Sequence, residues 1–318
     1  MKVFITDYGF SDIHQERHII NSARYDLLAG QCKSPEAVLA AAADADALLV
    51  QWAPITAAVI NGLNQCRVIV RYGIGVDNVD LAAAKARGIP VCNVPDYCID
   101  EVADHAVALA LALSLARQLP MIDRRVRAGT WKITPDHPMP ALSTMTFAAA
   151  GLGRIARAVL ARAGAFGCRP AAYDPYVKPE VFAANGIMRL TLEDMFRQAD
   201  VLSLHMPLTP ETRHLINPAT LAQMKPTAII VNTARGGLID AVALAEALQA
   251  GVIAGAGLDV FDPEPLPMEH PLRRRNTAIL TSHIGWFSDQ SVPKLQRLAA
   301  EEVVRALRGE ALRNQIVV

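Results

Sequence analysis

The chain has 318 residues, which is long enough for two domains that each bury a core of their own. Its formal net charge is zero and its pI is about 7.1, so no electrostatic field favours nucleic acid or an anionic membrane as a partner. The Ala- and Leu-rich run over residues 106–116 is too short to span a bilayer, and residues 1–7 lack a signal-peptide pattern.

Apolar runs alternate with helical patterns through the first hundred residues. The predicted strands are residues 3–6, 47–50, 68–70 and 90–93, and the predicted helices are residues 35–44, 56–63 and 81–87. Gly88 follows the last of these helices, at a position where helices commonly end. This alternation predicts a doubly wound parallel sheet with helices on both faces.

A second series of elements begins near Thr146, after a long amphipathic pattern. Residues 101–118 predict one helix between two domains, ended by Pro120. Strands are then predicted at residues 146–150, 169–173, 201–204, 228–232, 257–260 and 278–282, with a helix over residues 155–163. A final helix over residues 289–308 returns to the first domain. We therefore predict an α/β protein with one domain formed by residues 1–100 and 287–318 and another formed by residues 101–286.

A glycine turn joins the first strand and helix of the second domain. Gly151 permits a tight turn, Gly153 lets the backbone approach a pyrophosphate, and the helix N terminus offers unpaired N–H groups to it. Asp174 lies 21 residues after Gly153, at the end of the next strand, where its carboxylate would bind ribose hydroxyls and repel a 2′-phosphate. The pattern predicts a site for NAD rather than NADP. The alternative is a purely structural turn.

Three chemically active residues follow separate apolar runs in the last third of the chain: Arg235, Glu264 and His283. Because ligands bind outside the carboxyl ends of parallel strands, these side chains would meet in one crevice. Glu264 would orient His283, which would donate a proton to a ketone oxygen while nicotinamide delivers hydride, and Arg235 would clamp a substrate carboxylate. The alternatives are a packed or surface histidine, a loop carboxylate and a surface salt bridge.

Six segments resemble the D-isomer-specific 2-hydroxyacid dehydrogenases. They are Tyr72-Gly73-Ile74-Gly75-Val76-Asp77-Asn78, residues 151–155, 205–212, 232–240 and 258–265, and Ser282-His283-Ile284-Gly285-Trp286. The resemblance covers nearly the full length. It implies two doubly wound parallel-sheet domains, a flavodoxin-like substrate-binding domain and a Rossmann NAD-binding domain, with the active site in the cleft between them. It also implies a homodimer joined through the NAD-binding domains.

The resemblance further implies roles for single residues. Arg235 would be the substrate clamp, Glu264 the partner of the histidine and His283 the general acid and base. The implied substrate contacts are Arg71, Tyr72, Gly73, Ile74, Gly75, Arg235 and Trp286, with the loop from Tyr72 acting through its backbone N–H groups. The implied NAD contacts are Gly151, Gly153, Arg154, Ile155, Asp174, His205, Met206, Pro207, Thr212, Thr233, Ala234, Asp259 and His283.

Arg71, residues 92–98 and Trp286 resemble the carboxy-terminal-binding-protein-like bacterial branch in particular. In that branch the matching Trp lines the substrate pocket, which would favour a keto acid with an apolar or thioether side chain. The alternative is that Trp286 only packs the hinge. Residues 144–146 and 148–150 depart from the family, because Thr-Met-Thr replaces the common Gly-Lys-Thr and three alanines replace glycine and bulky aliphatic residues.

The sequence thus predicts an NAD-dependent D-2-hydroxyacid dehydrogenase that acts as a 2-keto acid reductase in the cytoplasm. The alternatives are a narrower glyoxylate or hydroxypyruvate reductase and an NAD(H)-sensing binding module of the corepressor type. Glu264 disfavours formate oxidation, for which relatives pair the histidine with Gln, and no additional basic residues indicate phosphite. Five scattered cysteines predict reduced thiols and no metal site. Residues 135–140 form a loop without an assigned role.

Overall fold

The computed structural model describes residues 1–112, 116–135 and 138–317. The chain divides into two compact units, one formed by Met1–Cys98 with Phe287–Val318 and the other by Ile99–Trp286. Among the described residues, no helix combines the length and the apolar character that crossing a membrane requires.

The first unit contains a five-stranded parallel sheet with the order β2-β1-β3-β4-β5. Its strands are β1 (Lys2–Ile5), β2 (Asp26–Ala29), β3 (Ala47–Val50), β4 (Val68–Arg71) and β5 (Val91–Cys92). The central strand β3 is buried along its whole length, as expected of a strand covered by helices on both faces. The sequence pattern did not predict β2, because this edge strand buries only Leu27 and so lacks a continuous apolar run.

Helices cover both faces of this sheet. They are α1 (His14–Ser22), α2 (Pro35–Ala42), α3 (Ala57–Gly62) and α4 (Leu81–Ala86), together with the C-terminal helix α12 (Ser291–Leu307). Side chains of Ser34, Thr56 and Asp80 accept hydrogen bonds from the first turns of α2, α3 and α4. Helix α12 packs against α1 and against strands β3 and β4, so the chain returns to the first unit at its end.

The second unit contains a seven-stranded parallel sheet with the order β12-β11-β10-β9-β6-β7-β8. Its strands are β6 (Thr146–Ala150), β7 (Arg169–Tyr173), β8 (Met188–Arg189), β9 (Val201–Leu204), β10 (Ile229–Asn232), β11 (Gly255–Leu258) and β12 (Ala278–Leu280). The strand order reverses between β6 and β9, which is the place where open α/β sheets form a ligand crevice. The predicted fold class, two doubly wound parallel sheets, is confirmed.

The helices of the second unit lie on both faces of its sheet. They are α5 (Ile99–Val107), α6 (Leu119–Arg127), α7 (Arg154–Ala165), α8 (Pro179–Ala184), α9 (Leu192–Gln198), α10 (Pro218–Leu221) and α11 (Ala241–Ala250). Short 3-10 turns occupy Leu142–Thr144, Gly236–Leu238 and Pro271–Arg274.

The prediction of one helix over residues 101–118 is wrong. The α-helical hydrogen bonding of α5 ends at Val107, and a π-helical turn, Ala108–Ala112, follows it directly. Residues 113–115 lie outside the described part of the chain. Pro120 does not end a helix but lies in the first turn of α6. Proline is tolerated there because the first N–H groups of a helix have no intrahelical acceptor. In the unassigned loop over residues 135–140, residues 136 and 137 also lie outside the described part.

The small side chains of β6 serve close packing in the core of the second unit. Ala148, Ala149 and Ala150 are fully buried, and Ala148 and Ala150 face one apolar cluster while Ala149 faces the other. On β11, a Cβ at Gly257 would lie 2.9 Å from the Cβ of Leu109. Thin residues on these strands therefore let the flanking helical segments approach the sheet closely.

Candidate functional site

The glycine turn joins β6 to α7 at the carboxyl end of the second sheet. Gly151 has a φ of +95°, and a Cβ there would lie 2.8 Å from the carbonyl oxygen of His205. Gly153 is the N-cap of α7 and, as a glycine, has no side chain to cap that helix, and a Cβ at Gly153 would meet open space. Residue 151 therefore requires glycine, and the first N–H groups of α7 are accessible to an anion.

Asp174 lies against this turn, directly after β7. Its Oδ2 accepts a hydrogen bond of 2.8 Å from the backbone N–H of Leu152, and its Oδ1 accepts one of 2.9 Å from Tyr176. Both bonds hold the carboxylate beside the glycine turn, where a ribose was predicted. At the start of α7, Arg154 is exposed and Ile155 packs against one face of the core.

His205 follows β9 on the other side of the crevice. Its backbone N–H donates a hydrogen bond of 2.8 Å to the carbonyl oxygen of Ala150, and its Nε2 lies 2.8 Å from Ser203 Oγ. Burial lowers the pKa of His205 to about 4, so the ring is neutral at neutral pH. His205 and the glycine turn are thus direct neighbours.

Thr212 shapes the loop that follows His205. Its Oγ1 donates a hydrogen bond of 2.7 Å to the carbonyl oxygen of Pro207 and accepts one of 2.8 Å from the N–H of Thr209. Met206 packs against the core and Pro207 is exposed. The hydroxyl of Thr212 is therefore engaged within its own loop.

Asn232, at the end of β10, shapes the turn that carries three predicted site residues. It is fully buried; its Oδ1 accepts a hydrogen bond of 3.0 Å from Ala234 N–H, and its Nδ2 donates one of 2.8 Å to the carbonyl oxygen of Arg235. Thr233 Oγ1 is buried and has no hydrogen-bond partner among the described residues. Because buried hydroxyl groups are nearly always hydrogen-bonded, Thr233 fits a place that a ligand completes.

The loop of Arg235 packs against the loop that leads to Glu264. Arg235 is half-buried, and its Nη1 donates a hydrogen bond of 2.7 Å to the carbonyl oxygen of Ala234. A Cβ at Gly236 would overlap the backbone of Phe261. Phe261 N–H in turn donates a hydrogen bond of 2.9 Å to Glu264 Oε1. The two strand ends are therefore in contact through their backbones.

Glu264 and His283 form a direct pair. Glu264 Oε2 lies 2.8 Å from His283 Nδ1, with the two side chains 37% and 41% exposed. Burial raises the pKa of Glu264, but the hydrogen bond and charge of His283 and the N–H of Phe261 outweigh it and hold this pKa below its ordinary value. Because Nδ1 is occupied by the carboxylate, Nε2 is the ring nitrogen left for proton exchange.

Asp259 holds the segment that carries His283. The residue is 2% exposed, and its carboxylate accepts hydrogen bonds from Thr281 Oγ1 (2.5 Å), Ile284 N–H (3.0 Å) and Gly285 N–H (2.9 Å). Its carbonyl oxygen also accepts the N–H of His283 at 2.8 Å. Burial raises the pKa of Asp259, but these hydrogen bonds, with one from His105, lower it far more. The NAD contact implied for Asp259 stays a prediction; what the structure shows is that Asp259 binds the backbone of residues 283–285.

Trp286 ends the same segment. Its indole Nε1–H donates a hydrogen bond of 2.8 Å to the carbonyl oxygen of His283, and the residue is half-buried. The polar edge of the indole is therefore used within the loop, and the ring is fixed relative to His283.

The glycine loop of the first unit has its own internal order. Tyr72 is 1% exposed and its hydroxyl donates a hydrogen bond of 2.8 Å to Glu16, so its side chain belongs to the core. The backbone N–H groups of Tyr72 and Gly73 donate to the carbonyl oxygens of Val50 and Arg71. A Cβ at Gly73 would overlap the guanidinium of Arg71, which therefore folds over this glycine. The N–H groups of Ile74 and Gly75 remain the predicted carboxylate donors.

Sequence reasoning missed three side chains that shape the site. They are Asn232, Thr281 and His105, of which His105 Nε2 lies 3.0 Å from Thr281 Oγ1. Asn232 and Thr281 stand at the end of apolar strand runs, and this position is the signal that they carry. His105 lies within the amphipathic pattern of α5 and has no comparable signal. Among the described residues, no group of three His, Cys, Asp or Glu side chains is arranged to hold a metal ion.

Comparison with known proteins places this geometry in a family. The family model of the D-isomer specific 2-hydroxyacid dehydrogenase, NAD binding domain, matches residues 109–285. D-3-phosphoglycerate dehydrogenase from Mycobacterium bovis is 43% identical over 274 residues, which are 86% of this chain and 51% of that protein. This chain therefore spans about half the length of that relative. Glyoxylate reductase from Korarchaeum cryptofilum is 39% identical over 288 residues, 89% of this chain and 86% of that protein.

Solved structures agree with this assignment over the whole chain. TT0316 protein from Thermus thermophilus is 36% identical, with a TM-score of 0.87 and 100% of both chains covered. D-lactate dehydrogenase from Aquifex aeolicus, complexed with NAD and lactic acid, is 26% identical, with a TM-score of 0.86 and 97% of this chain and 96% of that chain covered.

The residues of the second unit fit an NAD-binding domain. Gly151 and Gly153 form a turn at the N terminus of α7, Asp174 is held beside it, and the buried Thr233 hydroxyl has no hydrogen-bond partner in the described part of the chain. These are the groups that a pyrophosphate, a ribose and a further polar part of a dinucleotide require.

Proposed function

The chain belongs to the D-isomer-specific 2-hydroxyacid dehydrogenase family, and on this premise we propose that it is an NAD-dependent D-2-hydroxyacid dehydrogenase that reduces 2-keto acids in the cell. The observation that carries the proposal is the 2.8 Å contact between His283 Nδ1 and Glu264 Oε2. This contact lies at the carboxyl ends of the parallel strands, as does the glycine turn. An oriented acid–base residue and a nucleotide turn are what hydride transfer to a carbonyl requires.

His283 is proposed as the general acid of the reduction and the general base of the reverse reaction. The carboxylate of Glu264 accepts the proton of His283 Nδ1 and directs Nε2 away from the pair. In reduction, Nε2–H gives its proton to the keto oxygen; in oxidation, neutral Nε2 takes the hydroxyl proton back. The nicotinamide cofactor, when bound, supplies or accepts the hydride.

Arg235 is proposed to clamp the substrate carboxylate. Its planar guanidinium suits bidentate binding of a carboxylate, and the bond from Nη1 to the carbonyl oxygen of Ala234 restricts its rotamers. The contact of Gly236 with Phe261 keeps the Arg235 loop at a fixed distance from the loop of Glu264. The substrate and the proton donor are thereby oriented by adjoining loops.

The cofactor is proposed to bind with its pyrophosphate at Gly151 and Gly153 and its adenosine ribose at Asp174. The carboxylate of Asp174 repels a 2′-phosphate, and the neighbouring Tyr176 supplies no cation to offset this repulsion. Thr233 Oγ1 is the proposed hydrogen-bonding partner for the nicotinamide-side half of the dinucleotide. We therefore expect NAD to be preferred over NADP.

The proposed substrate is a 2-keto acid with an uncharged side chain. Trp286 uses its indole N–H on His283, so the rest of the ring is an apolar surface beside the acid–base residue. The segment 284–286 contains no cation that would match a phosphorylated substrate. Reduction of glyoxylate or hydroxypyruvate is the narrower alternative, and packing of Trp286 without substrate contact is the alternative for this residue.

A homodimer in the cytoplasm is proposed for the assembly. After α6, Trp131 and Ile133 are 83% and 90% exposed, and two exposed apolar side chains this close in sequence support association through the second unit. Five free, buried cysteines suit a reducing compartment. Light scattering at micromolar concentration would separate dimer from monomer.

The test is the loss of NADH absorbance across a panel of 2-keto acids, with NADPH as the cofactor control. The panel extends from glyoxylate, pyruvate and hydroxypyruvate to 4-methylthio-2-oxobutyrate and phenylpyruvate. Activity that rises with side-chain size supports both the enzyme and the indole surface. Preference for glyoxylate keeps the enzyme and removes Trp286 from the pocket. NADH binding without any activity would favour the NAD(H)-sensing binding module instead.

A further inference from the structure

His105 lies behind the segment that carries His283. It belongs to α5, and its Nε2 lies 3.0 Å from Thr281 Oγ1 and 3.4 Å from Asp259 Oδ1. The three residues come from an N-terminal helix of the second unit, the end of β12 and the end of β11, so they join parts of the chain that are distant in sequence.

The direction of the hydrogen bonds follows from the number of protons. The Thr281 hydroxyl has one proton, which it donates to Asp259 Oδ1 at 2.5 Å. Thr281 Oγ1 is then an acceptor toward His105, so His105 Nε2 must carry a proton and donate it. The result is a directed chain from His105 through Thr281 to the Asp259 carboxylate.

The ring of His105 also fixes the space available to Gly285. A Cβ at Gly285 would lie 3.0 Å from Asp259 Oδ2 and 3.2 Å from His105 Cδ2. Gly285 N–H meanwhile donates a hydrogen bond of 2.9 Å to Asp259 Oδ2. The histidine ring and the carboxylate therefore enclose this glycine, two residues after His283.

His283 needs such support because its backbone is strained. Its φ is +55°, a left-handed conformation that is unfavourable for non-glycine residues. It is held there by its own N–H bond to the Asp259 carbonyl oxygen and by the bonds of Ile284 and Gly285 to the Asp259 carboxylate. The Asp259 residue therefore holds the loop in this conformation.

We propose that His105 is a positioning residue for proton transfer: by donating through Thr281 to Asp259 it fixes the carboxylate that holds the strained His283 loop. This inference rests on the proposed function, since it assigns a task in the same reaction. His105 does not touch the reacting atoms. Its Nε2 faces Thr281 Oγ1 at 3.0 Å and Asp259 Oδ1 at 3.4 Å, so its effect reaches His283 through the Asp259 carboxylate, mainly by way of the Thr281 hydroxyl.

Two substitutions separate the hydrogen bond from the packing of the ring. His105→Phe keeps a ring against Gly285 and removes the donor, whereas His105→Gln places an amide N–H near the position of Nε2. We expect His105→Phe to lower kcat about tenfold with KM for the keto acid changed less than about twofold, and His105→Gln to restore most of kcat. His18→Phe, an exposed histidine on α1, is the matched control and should equal the wild type.

A second pair of variants covers the case in which His105→Phe does not fold. Thr281→Val removes the hydroxyl with little change in shape and should reproduce the loss of kcat, while Thr281→Ser keeps the hydroxyl and should remain near wild type. Equal kcat in Thr281→Val and Thr281→Ser would overturn the proposed chain, as would equal loss in His105→Phe and His105→Gln.

A spectroscopic measurement distinguishes failure of this inference from failure of the proposed function. In a Trp52→Phe/Trp131→Phe background, Trp286 is the single tryptophan, and its indole is bonded to His283. We expect its emission to shift to longer wavelength in His105→Phe and to return in His105→Gln. If His105→Phe shifts the emission of Trp286 but the wild-type protein has no dehydrogenase activity, the positioning role holds and the proposed reaction fails. An active wild type whose kcat and emission are unchanged by His105→Phe would overturn the positioning role alone.

Discussion

Two regions of the second unit are built by different means. The nucleotide turn is mostly backbone: Gly151 adopts a positive φ, the N terminus of α7 is uncapped, and Asp174 is held by backbone N–H groups. The acid–base end is held by side chains, with Asp259 binding the segment after β12 and Glu264 binding His283. The conformation of the nucleotide turn is thus set by its own glycines, whereas the proposed acid–base end also requires two carboxylates, Asp259 and Glu264, that fix the segment of His283.

The largest expected effect separates these two regions. His283→Ala removes the proposed proton donor and should lower kcat by a factor of about 10² to 10⁴, while the Kd for NADH stays near that of the wild type. Gly151→Ala is the control that should affect the nucleotide turn instead. Its Cβ would lie 2.8 Å from the carbonyl oxygen of His205, so it should weaken NADH binding. Steady-state kinetics and NADH fluorescence titration measure both. Near-normal turnover of His283→Ala would remove this residue from the mechanism.

Asp259→Asn tests whether the acid–base end depends on a buried charge. The pKa of Asp259 is held below its ordinary value, so its stabilisation is complete above about pH 4 and is lost as the pH falls through the folded-state pKa. We expect the substitution to lower the free energy of unfolding at pH 7 by about 2 kcal/mol and to flatten the loss of stability below about pH 4. Urea unfolding at several pH values measures this. An unchanged pH profile would contradict the proposed support.

Arg235→Lys tests the substrate clamp. A lysine keeps the charge but not the planar pair of donors, so KM for the keto acid should rise about tenfold, with a smaller effect on NADH binding. The measurement is KM for the keto acid in Arg235→Lys and in the wild type, both at saturating NADH. If KM for the keto acid does not change, the carboxylate is held elsewhere.

Asp174→Ala should give the smallest effect and tests whether the nucleotide turn selects NAD over NADP. Removal of the carboxylate should narrow the preference for NADH over NADPH about fivefold, because both the ribose contact and the repulsion of a 2′-phosphate are lost. The measurement is the ratio of kcat/KM for the two cofactors. A ratio equal to that of the wild type would contradict the selecting role of Asp174.

The same contrast explains which features could be predicted from sequence. The glycine turn and the strands β3 and β6 are encoded by contiguous residues, so periodicity and spacing were sufficient. The sequence does not predict strand β2, because this strand buries only Leu27. It does not predict the break after α5 either, because the apolar pattern continues through residues 108–112 and Pro120 fits the end of one helix as well as the first turn of the next.

Long-range contacts account for the rest of what the sequence did not predict. The contact of His105 with Thr281 joins residues 176 positions apart, and no local pattern marks it. The hydrogen bonds of Asn232 to its own turn could be suspected only from a polar residue at the end of a buried strand. By contrast, Glu264 and His283 were predicted as a pair from strand-end position and family resemblance, and the structure places them 2.8 Å apart. Their catalytic roles stay predictions.

The proposed reaction is hydride transfer between NAD and a D-2-hydroxy acid, with His283 as acid and base. The most direct test is NADH formation by the wild-type protein from each enantiomer of one 2-hydroxy acid whose keto form it reduces, with His283→Ala in parallel. We expect NADH from the D enantiomer alone, and almost none from His283→Ala. Equal rates with both enantiomers, or with the L enantiomer only, would contradict it.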